Sequence, residues 1–440
     1  MTLSAYHGVF ARSDVTQRIG WVRHVQGLAI HAEGPDANVG EMCRIVPRDA
    51  ASEPLMAEVV GLARDHIVLL PYGGLRGIGP GSRVIALGHA ADVVASPELV
   101  GRVIDGFGLP LDGGPMIRGH ERTPLEGKTS SPMQRPRITR ILETGIRAID
   151  ALLTIGEGQR VGIFAGSGVG KSSLLGLITR HAQVDVNVIA MIGERSREVR
   201  EFVEEQLGPE GLARSVVVAA TSEQPALARI RAAHAAVAIA SRFREDGKRV
   251  LLTMDSVTRL AMARREIGLA AGEPATARGY TPSVFSELPQ LCERCGTAPS
   301  GGSVTALLTV LVEGDDLNEP VADNMRAILD GHVVLSRELA QQGHYPPIDV
   351  LKSASRLMAD LASQPEREIA ALAVRHLAAL ERNRQLVDLG AYVRGSNAVL
   401  DSALSAEASL FAWLRQDGGG IRRADAVAHL QRALATGARA

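Results

Sequence analysis

Short apolar segments separated by turn residues characterise roughly the first 90 residues of the chain. These segments are rich in Val, Ile and Leu, and they read WVRHVQGLAI, VGEMCRIV, LMAEVVGLA, HIVLLPY and SRVIAL. Gly, Pro, Asn and Asp cluster between them at intervals of about ten residues, a spacing typical of all-β folds. The pattern predicts an N-terminal β-barrel or β-sandwich, and a sandwich used only for binding is the alternative interpretation.

The rest of the chain alternates between strand-like and helical patterns. After a turn-rich connector over 91–150, apolar runs such as RVGIFA, VNVIAMI, VLLTMD and SVTALLTVLV mostly alternate with helical segments as far as residue 336. Strands that alternate with helices predict a parallel sheet covered by helices on both faces. Beyond about residue 360, Ala-, Leu- and Arg-rich segments with helical periodicity predict a small helical domain.

The composition is that of an ordinary globular protein and excludes several function classes. The 440 residues correspond to about three domains of usual size. Lys and Arg (48) balance Asp and Glu (49) to a formal charge of −1, which excludes a basic nucleic-acid coat and an acidic disordered tail. Three cysteines cannot form a disulfide framework, which suits a reducing cytosol.

No targeting or membrane segment is expected either. The N-terminus MTLSAYHGVFARSD lacks the apolar core of a signal peptide. No stretch of the chain approaches the run of about 18 apolar residues that a spanning helix needs. The sequence therefore predicts a protein without a signal peptide or a transmembrane helix.

The strongest chemical motif lies between an apolar strand and an apolar helix in RVGIFAGSGVGKSSLLGLI. Glycine-rich loops in this setting bind nucleotide phosphates, because their backbone N–H groups and the helix N-terminus attract negative charge. The lysine reaches the β- and γ-phosphates, and the hydroxyl after it can ligate Mg²⁺. The predicted nucleotide-binding residues are Ala165, Gly166, Ser167, Gly168, Val169, Gly170, Lys171, Ser172 and Ser173, of which Lys171 is also catalytic and Ser172 also a Mg²⁺ ligand.

Two carboxylates complete the predicted site. Asp255 ends the apolar run VLLTMD, which is the pattern of a Walker B aspartate that holds the Mg²⁺ shell, through water. Glu194 follows VNVIAMI, at the strand edge where parallel sheets bind ligands, and a carboxylate there can polarise the attacking water. From the residues alone, Glu194 can also be read as part of a charged surface turn.

Cys292 and Cys295 form an isolated C-x-x-C pair. No second cysteine pair is present, and no histidine follows at the spacing of a zinc site. We interpret the pair as a coincidence on a helix surface, with metal or redox chemistry as the alternative. The twelve histidines are scattered, and we assign none of them to a metal.

The motifs favour an active ATPase over other nucleotide-binding proteins. None of the four lysines follows an asparagine, so the Asn-Lys-x-Asp element of GTPases is absent. The neutral charge gives no support to a nucleic-acid translocase. A docking scaffold with an inactive loop is expected to lose Lys171, Glu194 or Asp255, and all three are present. A small-molecule kinase is harder to exclude, although it needs neither an N-terminal barrel nor a C-terminal helical domain.

Long segments of the chain together match one protein family. They are LVGRVIDGFGLPLDG (99–113), TGIRAIDALLTIGEGQRVGIFAGSGVGKS (144–172), IGERSREVREFVEE (192–205), MDSVTRLAMARREIGLAAGEPATARGYTPSVFSELPQLCERCG (254–296) and EGDDLNEPVADNMRAILDGHVVLSRELAQQGHYPPIDVLKSASRLM (313–358). The chain resembles the hexameric rotary-type ATPases related to the F1 catalytic subunit, and more narrowly the type III protein-export ATPases of flagella and injectisomes. AGSGVGKS is the export-ATPase form, whereas F1 catalytic subunits have GGAGVGKT.

This resemblance implies roles for individual residues. Glu194 matches the catalytic carboxylate and Asp255 the Walker B aspartate. Tyr345, in GHYPPID, matches the aromatic residue that packs on adenine, a contact that suits a planar ring. Arg356, in SASRLM, matches the catalytic arginine finger that a neighbouring subunit inserts, although alone it can also be read as pairing with a local carboxylate. Tyr392 is a candidate for the second wall of the adenine pocket.

The resemblance also implies an architecture and a setting. The expected domains are an oligomerisation β-barrel (1–90), a P-loop α/β ATPase domain (91–358) and a C-terminal helical domain (359–440). Six copies are expected to form a homohexameric ring that binds ATP and Mg²⁺ at its subunit interfaces. The implied partners are a peripheral-stalk regulator, a central coiled-coil stalk protein, the export gate and chaperone–substrate complexes, with no nucleic acid. The implied location is cytoplasmic, at the inner face of the cell membrane, with peripheral contact only.

Within this family the flagellar interpretation is preferred, with the injectisome as the alternative. RNRQLVDLGAYVRGSN and GHVVLSRELA look more flagellar, by association rather than by a physical argument. The expected activity is ATP hydrolysis that promotes the release and unfolding of export substrates. A rotary ATP synthase subunit is a further alternative, disfavoured because the acidic DELSEE stretch of F1 is missing. The non-enzymatic alternative is a nucleotide-gated docking scaffold.

Overall fold

The structure is a computed structural model that describes residues 17–49, 52–117, 121–127, 131–312, 314 and 316–435. The N-terminal segment that bears on the signal-peptide expectation, and with it the start of the predicted 1–90 domain, lies outside these ranges. Within these ranges, no helix is both long and apolar enough to cross a membrane.

Six antiparallel strands close into a barrel near the N-terminus. They are β1 (Ile19–Gln26), β2 (Ala29–Glu33), β3 (Glu41–Val46), β4 (Leu55–Leu62), β5 (Ile67–Pro71) and β6 (Arg83–Ala90). Their order around the barrel is β1-β2-β5-β4-β3-β6, and β1 pairs with β6 to close the circle. Because side chains alternate along a strand, inward residues such as Val22, Ile30, Ile45 and Leu69 form the barrel core. The barrel is therefore the all-β fold that the pattern predicted.

The strands after the barrel form one large sheet and two small ones. They are β7 (Asp92–Val94), β8 (Arg102–Ile104), β9 (Arg122–Pro124), β10 (Ile141–Leu142), β11 (Ile155–Gly156), β12 (Arg160–Ala165), β13 (Val186–Glu194), β14 (Ser215–Thr221), β15 (Arg249–Asp255), β16 (Gly296–Thr297), β17 (Ser303–Leu311), β18 (Gly331–Leu335) and β19 (Ile348–Ser355). The nine-stranded sheet at the centre of the molecule has the order β19-β18-β12-β17-β15-β13-β14-β8, with β16 paired to β17. All pairs along this path are parallel except β18 with β19. The two small two-stranded sheets pair β7 with β9 and β10 with β11.

Helices cover both faces of this sheet and continue into the C-terminal domain. They are α1 (Arg147–Leu152), α2 (Lys171–His181), α3 (Ser196–Glu201, continued by a π-helix over Phe202–Leu207), α4 (Gly208–Leu212), α5 (Ala226–Glu245), α6 (Val257–Ala270), α7 (Pro282–Glu293), α8 (Pro320–Ile328), α9 (Arg337–Gln341), α10 (Met358–Leu361), α11 (Gln364–Asp388), α12 (Ala398–Leu414) and α13 (Arg423–Ala435). Short 3₁₀ turns occur at Pro97–Leu99, Pro132–Gln134 and Ala277–Gly279.

The central strands are apolar throughout because both of their faces are buried. In β13 all nine residues are buried. Val188 and Ala190 belong to the core beneath α5 and α6, whereas Ile189 and Met191 belong to the core on the opposite face. A sheet covered on both faces needs such continuous apolar strands, which confirms the predicted α/β layer architecture.

The C-terminal helices share the second of these cores. Ser363 and Glu366 form a capping box at the start of α11, which defines where that helix begins. Trp413 on α12 is buried, and its indole N–H donates to the Ala426 carbonyl on α13 at 3.1 Å. Leu410 and Leu430 pack in the same cluster as residues of α2 and β12. The helical domain therefore rests on the face of the sheet that carries the glycine-rich loop.

Candidate active site

The glycine-rich loop joins the end of β12 at Ala165 to the start of α2 at Lys171. Gly168 and Gly170 have φ values of 74° and 102°, a left-handed backbone region that favours glycine. Gly170 is the N-cap of the 11-residue helix α2, so the positive end of the helix dipole faces the loop. The loop has the conformation and the helix that phosphate binding requires.

Two other strands of the same sheet, β15 and β13, each end in a carboxylate that lies near this loop. The Lys171 ammonium lies 2.5 Å from Asp255 Oδ1 at the end of β15 and 3.8 Å from Glu194 Oε1 at the end of β13. Lys171 and Asp255 are 84 positions apart in the sequence. They meet because β12, β15 and β13 are parallel members of one sheet, whose carboxyl ends share an edge. The three predicted side chains thus form one cluster.

Burial controls the protonation of Glu194. The residue is only 7% exposed. Loss of hydration raises the pKa of Glu194 to about 7, and the neighbouring Glu198 and the negative Asp255 act in the same direction. Lys171 and Arg259 oppose this shift by stabilising the charged form. The carboxyl of Glu194 therefore titrates near neutral pH, which is the range suited to a general base.

A cavity of about 970 Å³ opens in front of the cluster. It is lined by the predicted loop residues Gly166, Ser167, Gly168, Gly170, Lys171, Ser172 and Ser173, and by Glu194. Its size falls within the range of nucleotide and cofactor sites, of roughly 300 to 1,000 Å³. Asp255 is buried behind Lys171, with 1% exposure, so it borders the site from within the sheet.

The oxygen donors at the cavity fit a magnesium ion. Ser172 lines the cavity beside Lys171, and the Asp255 carboxylate lies within hydrogen-bond distance of the Lys171 ammonium. A hydroxyl, a carboxylate, phosphate oxygens and water are the ligands that Mg²⁺ prefers. In the described part of the chain, no group of three or more His, Cys, Asp or Glu residues could hold a metal by itself. The donor set therefore suits a metal that arrives with a nucleotide.

Tyr345 lies beside the glycine-rich loop. A Cβ atom built on Gly170 would lie 3.6 Å from the Tyr345 ring, and Tyr345 is 46% exposed as a residue. The carbonyl of Tyr345 accepts a hydrogen bond of 2.8 Å from the Gln416 backbone N–H, at the end of α12. The structure thus places an accessible aromatic ring next to the phosphate loop.

Arg356 is not part of this cluster within one chain. It is exposed just after β19, where its guanidinium donates to the Arg326 carbonyl at 3.3 Å and its backbone N–H donates to the Asp330 carbonyl. It does not line the cavity that contains Lys171 and Glu194.

Tyr392 packs within the helical domain. Its hydroxyl donates to Asp401 Oδ1 at 2.9 Å, and its ring contacts the cluster of Leu380 and Leu400. Its described contacts all lie within residues of the C-terminal helices, and Gln416 is the residue of this domain that bonds to Tyr345. The structure therefore gives no contact that supports Tyr392 as the second wall of an adenine pocket.

The cysteine pair is not on a surface, and that part of the prediction was wrong. Cys292 and Cys295 are 2% and 1% exposed, at the end of α7 and just after it. Burial raises the pKa of both thiols, that of Cys295 to about 11, so they stay protonated at neutral pH. Their apolar surroundings, invisible in the spacing of the motif, make them part of the core.

Several charged residues of the cavity were missed by the sequence analysis. They are Arg195, Glu198, Arg259, Arg265, Arg278, Glu319 and Arg337. Glu198 and Arg259 lie in the first turns of helices α3 and α6, which begin two residues after Glu194 and Asp255. Their place directly after a strand end, at the edge where parallel sheets bind ligands, was the available signal.

The fold and the site define a P-loop nucleotide hydrolase. Comparison with known families gives three consecutive matches: the nucleotide-binding domain of the ATP synthase alpha/beta family over residues 145–355, the beta-barrel domain of that family over 22–88, and the T3SS EscN ATPase C-terminal domain over 362–432. Together they cover the barrel, the sheet and the C-terminal helices.

Relatives match over nearly their whole length. The chain is 49% identical to the flagellum-specific ATP synthase of Bacillus subtilis, over 92% of this chain and 92% of the relative. It is 49% identical to the type 3 secretion system ATPase of Xanthomonas euvesicatoria, over 89% and 88%. The solved structure of the assembled ATPase EscN from the enteropathogenic E. coli type III secretion system matches with a TM-score of 0.89, at 39% identity, over 94% of this chain and 100% of that one.

The chain therefore belongs to the ATP synthase alpha/beta family, and within it to the type III protein-export ATPases. It is an ATPase with the three-part fold of that family.

Proposed function

We propose that this protein is the ATP-hydrolysing motor of a flagellar type III export apparatus. The observation that carries the proposal is the cluster of Lys171, Glu194 and Asp255 at the mouth of the phosphate loop. Flagellum-specific relatives at 44 to 50% identity favour the flagellar system. The injectisome is the second candidate, favoured by the secretion ATPase relative at 49% identity and by the likeness to EscN.

The loop binds the phosphates of ATP in this mechanism. Lys171 leaves the two carboxylates and reaches the β- and γ-phosphate oxygens, while backbone N–H groups of Gly168 and Gly170 surround them. Ser172 and Asp255 would hold Mg²⁺, Asp255 through water. When bound, the metal would neutralise charge on the phosphate oxygens.

Glu194 acts on the water that attacks the γ-phosphorus. Its raised pKa makes the carboxylate a stronger acceptor for the proton of that water than an exposed glutamate is. Its burial reduces the hydration of its own carboxylate, so the electrostatic effect of the neighbouring cations Lys171 and Arg259 on it is strengthened. Tyr345 packs on the adenine ring beside Gly170.

Arg356 completes the site from a second subunit. Its exposed position outside the cavity of its own chain supports a role at a subunit interface. There a guanidinium stabilises the charge that develops on the γ-phosphoryl group. The active form in this proposal is a homohexamer, in line with the solved assembled form of EscN.

The partners that we propose are inferred from the same family of export ATPases. EscN has been solved in complex with its central stalk EscO. We propose a corresponding coiled-coil stalk for this chain, together with a peripheral-stalk regulator, the export gate and chaperone–substrate complexes, and no nucleic acid. The proposed place is the cytoplasmic face of the cell membrane, with peripheral contact.

Two variants test the proposed site. Lys171→Ala should abolish ATP turnover and weaken ATP binding, because it removes the cation that bridges the phosphates. Glu194→Gln should still bind ATP but hydrolyse it roughly 10²-fold more slowly or worse. Phosphate release and nucleotide binding by the purified protein give both results. The matched control is Lys248→Ala, an exposed lysine at the opposite end of β15. Near-normal turnover of either site variant would contradict the assignment of that residue.

The biological role is tested in the source cell. Replacement of the chromosomal copy by Glu194→Gln should stop the export of flagellar building proteins and abolish motility. Intact flagella with a loss of another secreted set of proteins would instead identify the injectisome.

A further inference from the structure

Thr309 lies between the phosphate loop and the Walker B aspartate. It is fully buried on β17, the strand that separates β12 from β15. Its hydroxyl oxygen lies 2.9 Å from Asp255 Oδ1 and 3.1 Å from the Met254 carbonyl oxygen. Nothing in the sequence motifs pointed to this residue, because it lies in the middle of an apolar strand.

The hydroxyl of Thr309 is a donor to the Asp255 carboxylate. A threonine hydroxyl carries a single proton, so it fully serves only one of its two acceptor neighbours. A carboxylate oxygen is the stronger acceptor, and the shorter distance is the one to Asp255. Burial keeps water away from the hydroxyl, so this contact cannot be replaced by solvent.

The same carboxylate oxygen also accepts from Lys171. Asp255 Oδ1 lies 2.5 Å from the Lys171 ammonium and 2.9 Å from Thr309. When Lys171 turns to the phosphates of a bound nucleotide, this oxygen loses its cation. The hydroxyl of Thr309 is then the donor that stays in place, because it is part of a buried, hydrogen-bonded strand.

We propose that Thr309 is a positioning residue for magnesium binding. It holds Oδ1 of Asp255 within the sheet after Lys171 has left, so that the other carboxylate oxygen stays directed to the hydration shell of the metal. This inference rests on the proposed role of Asp255 in holding Mg²⁺. Donors of this kind orient metal-binding carboxylates, and their removal typically costs about 10- to 100-fold in metal affinity.

The test measures binding rather than turnover. The affinity of the full-length protein for the fluorescent nucleotide mant-ADP is measured in Mg²⁺ and in EDTA, and the ratio of the two dissociation constants gives the magnesium contribution. Thr309→Val keeps the shape and removes the hydroxyl. It should reduce this ratio about tenfold and leave the affinity in EDTA unchanged. Thr309→Ser keeps a hydroxyl and should restore the ratio.

Thr253→Val is the matched control. Thr253 is a fully buried threonine on β15, and among the described residues its hydroxyl has no hydrogen-bond partner. Its replacement removes the same atoms from the same sheet without touching Asp255, and the magnesium contribution should not change. A reduction as large as that of Thr309→Val would show a general effect of sheet packing and would overturn the proposal.

Two further outcomes separate this inference from the proposed function. Asp255→Asn should remove most of the magnesium contribution. If it does so while Thr309→Val behaves like the parent protein, the positioning role is wrong and the role of Asp255 stands. If Asp255→Asn also binds normally, Asp255 does not hold the metal and both statements are wrong. Should Thr309→Val fail to fold, Thr309→Ser and Thr309→Ala replace it, and equal ratios in that pair would refute the role of the hydroxyl.

Discussion

The carboxyl group of Glu194 couples the site to pH. Its pKa lies at about 7, mainly because burial destabilises the charged form. The folded state therefore binds this proton more tightly than the unfolded chain does, whose glutamate has a pKa of 4.5. Proton binding by Glu194 therefore stabilises the folded state. This contribution to the free energy of unfolding is fully present below pH 4.5 and is lost as the pH rises through 7. In the proposed mechanism activity has the opposite dependence, because only the carboxylate form can accept a proton from the attacking water.

Hydrolysis should therefore fall on the acidic side of neutrality. With one proton involved, kcat/KM should fall about tenfold per pH unit below pH 7, as expected for a single general base in the free enzyme. Steady-state rates at a series of ATP concentrations, repeated across the neutral pH range, measure this. The residual activity of Glu194→Gln should lack the acidic limb. If that variant keeps the limb, another group is responsible for it.

At the scale of elements, helix α5 connects the barrel to the central sheet. Arg231 on this helix is buried and donates to the carbonyl oxygens of Gly106 at 3.0 Å and Asp92 at 2.6 Å. Its guanidinium lies 4.0 Å from the ring centre of Phe107 and 5.3 Å from that of Tyr72, which follows barrel strand β5. One cation thus connects the helix, the connector and the barrel.

Gly106, in the connector segment DGFGLPLDG, allows this close packing on α5. A Cβ atom on Gly106 would lie 2.9 Å from the backbone nitrogen of Ala232, closer than side chains tolerate. The connector can therefore lie directly on α5, where its carbonyl reaches Arg231. This contact explains a motif that the nucleotide chemistry does not use.

Arg231→Met should destabilise the protein strongly. The change leaves the buried Gly106 carbonyl without its donor, at about 1–3 kcal/mol, and the partly buried Asp92 carbonyl as well, and it removes the cation–π contacts. Denaturant unfolding followed by circular dichroism measures the loss. Arg242→Met is the control, since Arg242 is a half-exposed residue of the same helix whose ion pairs with Glu121 and Asp246 contribute little. Equal stability of the two variants would refute the role of Arg231 in connecting the barrel to the sheet.

At the scale of the whole molecule, the proposed mechanism needs a residue that lies away from the cavity of its own chain. Lys171, Ser172 and Glu194 line one cavity, whereas Arg356 lies outside it. If a neighbouring subunit supplies Arg356, activity depends on assembly. Specific activity should then rise with protein concentration as rings form.

Mixing two inactive variants tests the shared site. Arg356→Ala should bind ATP but lose roughly 10³–10⁵ in rate, the range known for arginine fingers. Lys171→Ala lacks the lysine on the other side of the same proposed subunit interface. Mixed rings should regain activity, because some interfaces combine an intact Lys171 with an intact Arg356. Co-assembly without any gain over the separate variants would show that Arg356 does not act in trans.

Local patterns in the sequence determined much of this protein. The short apolar segments between turn residues, the alternation of strands and helices, and the glycine-rich loop each depend on neighbours within a few residues. Lys171 and Asp255 were found from local motifs, and Glu194 from its place at a strand end. The three meet because the carboxyl ends of parallel strands share one edge of the sheet.

Contacts between distant segments were decided only by the tertiary structure. The closure of the barrel, the burial of Cys292 and Cys295, and the bond of Gln416 to Tyr345 depend on how whole elements pack. Thr309 belongs to the same group, since its hydroxyl reaches Asp255 only through the register of two strands 54 residues apart. Sequence spacing constrains residues along one element, whereas the partner of a buried polar group is fixed by the neighbouring element against which it packs.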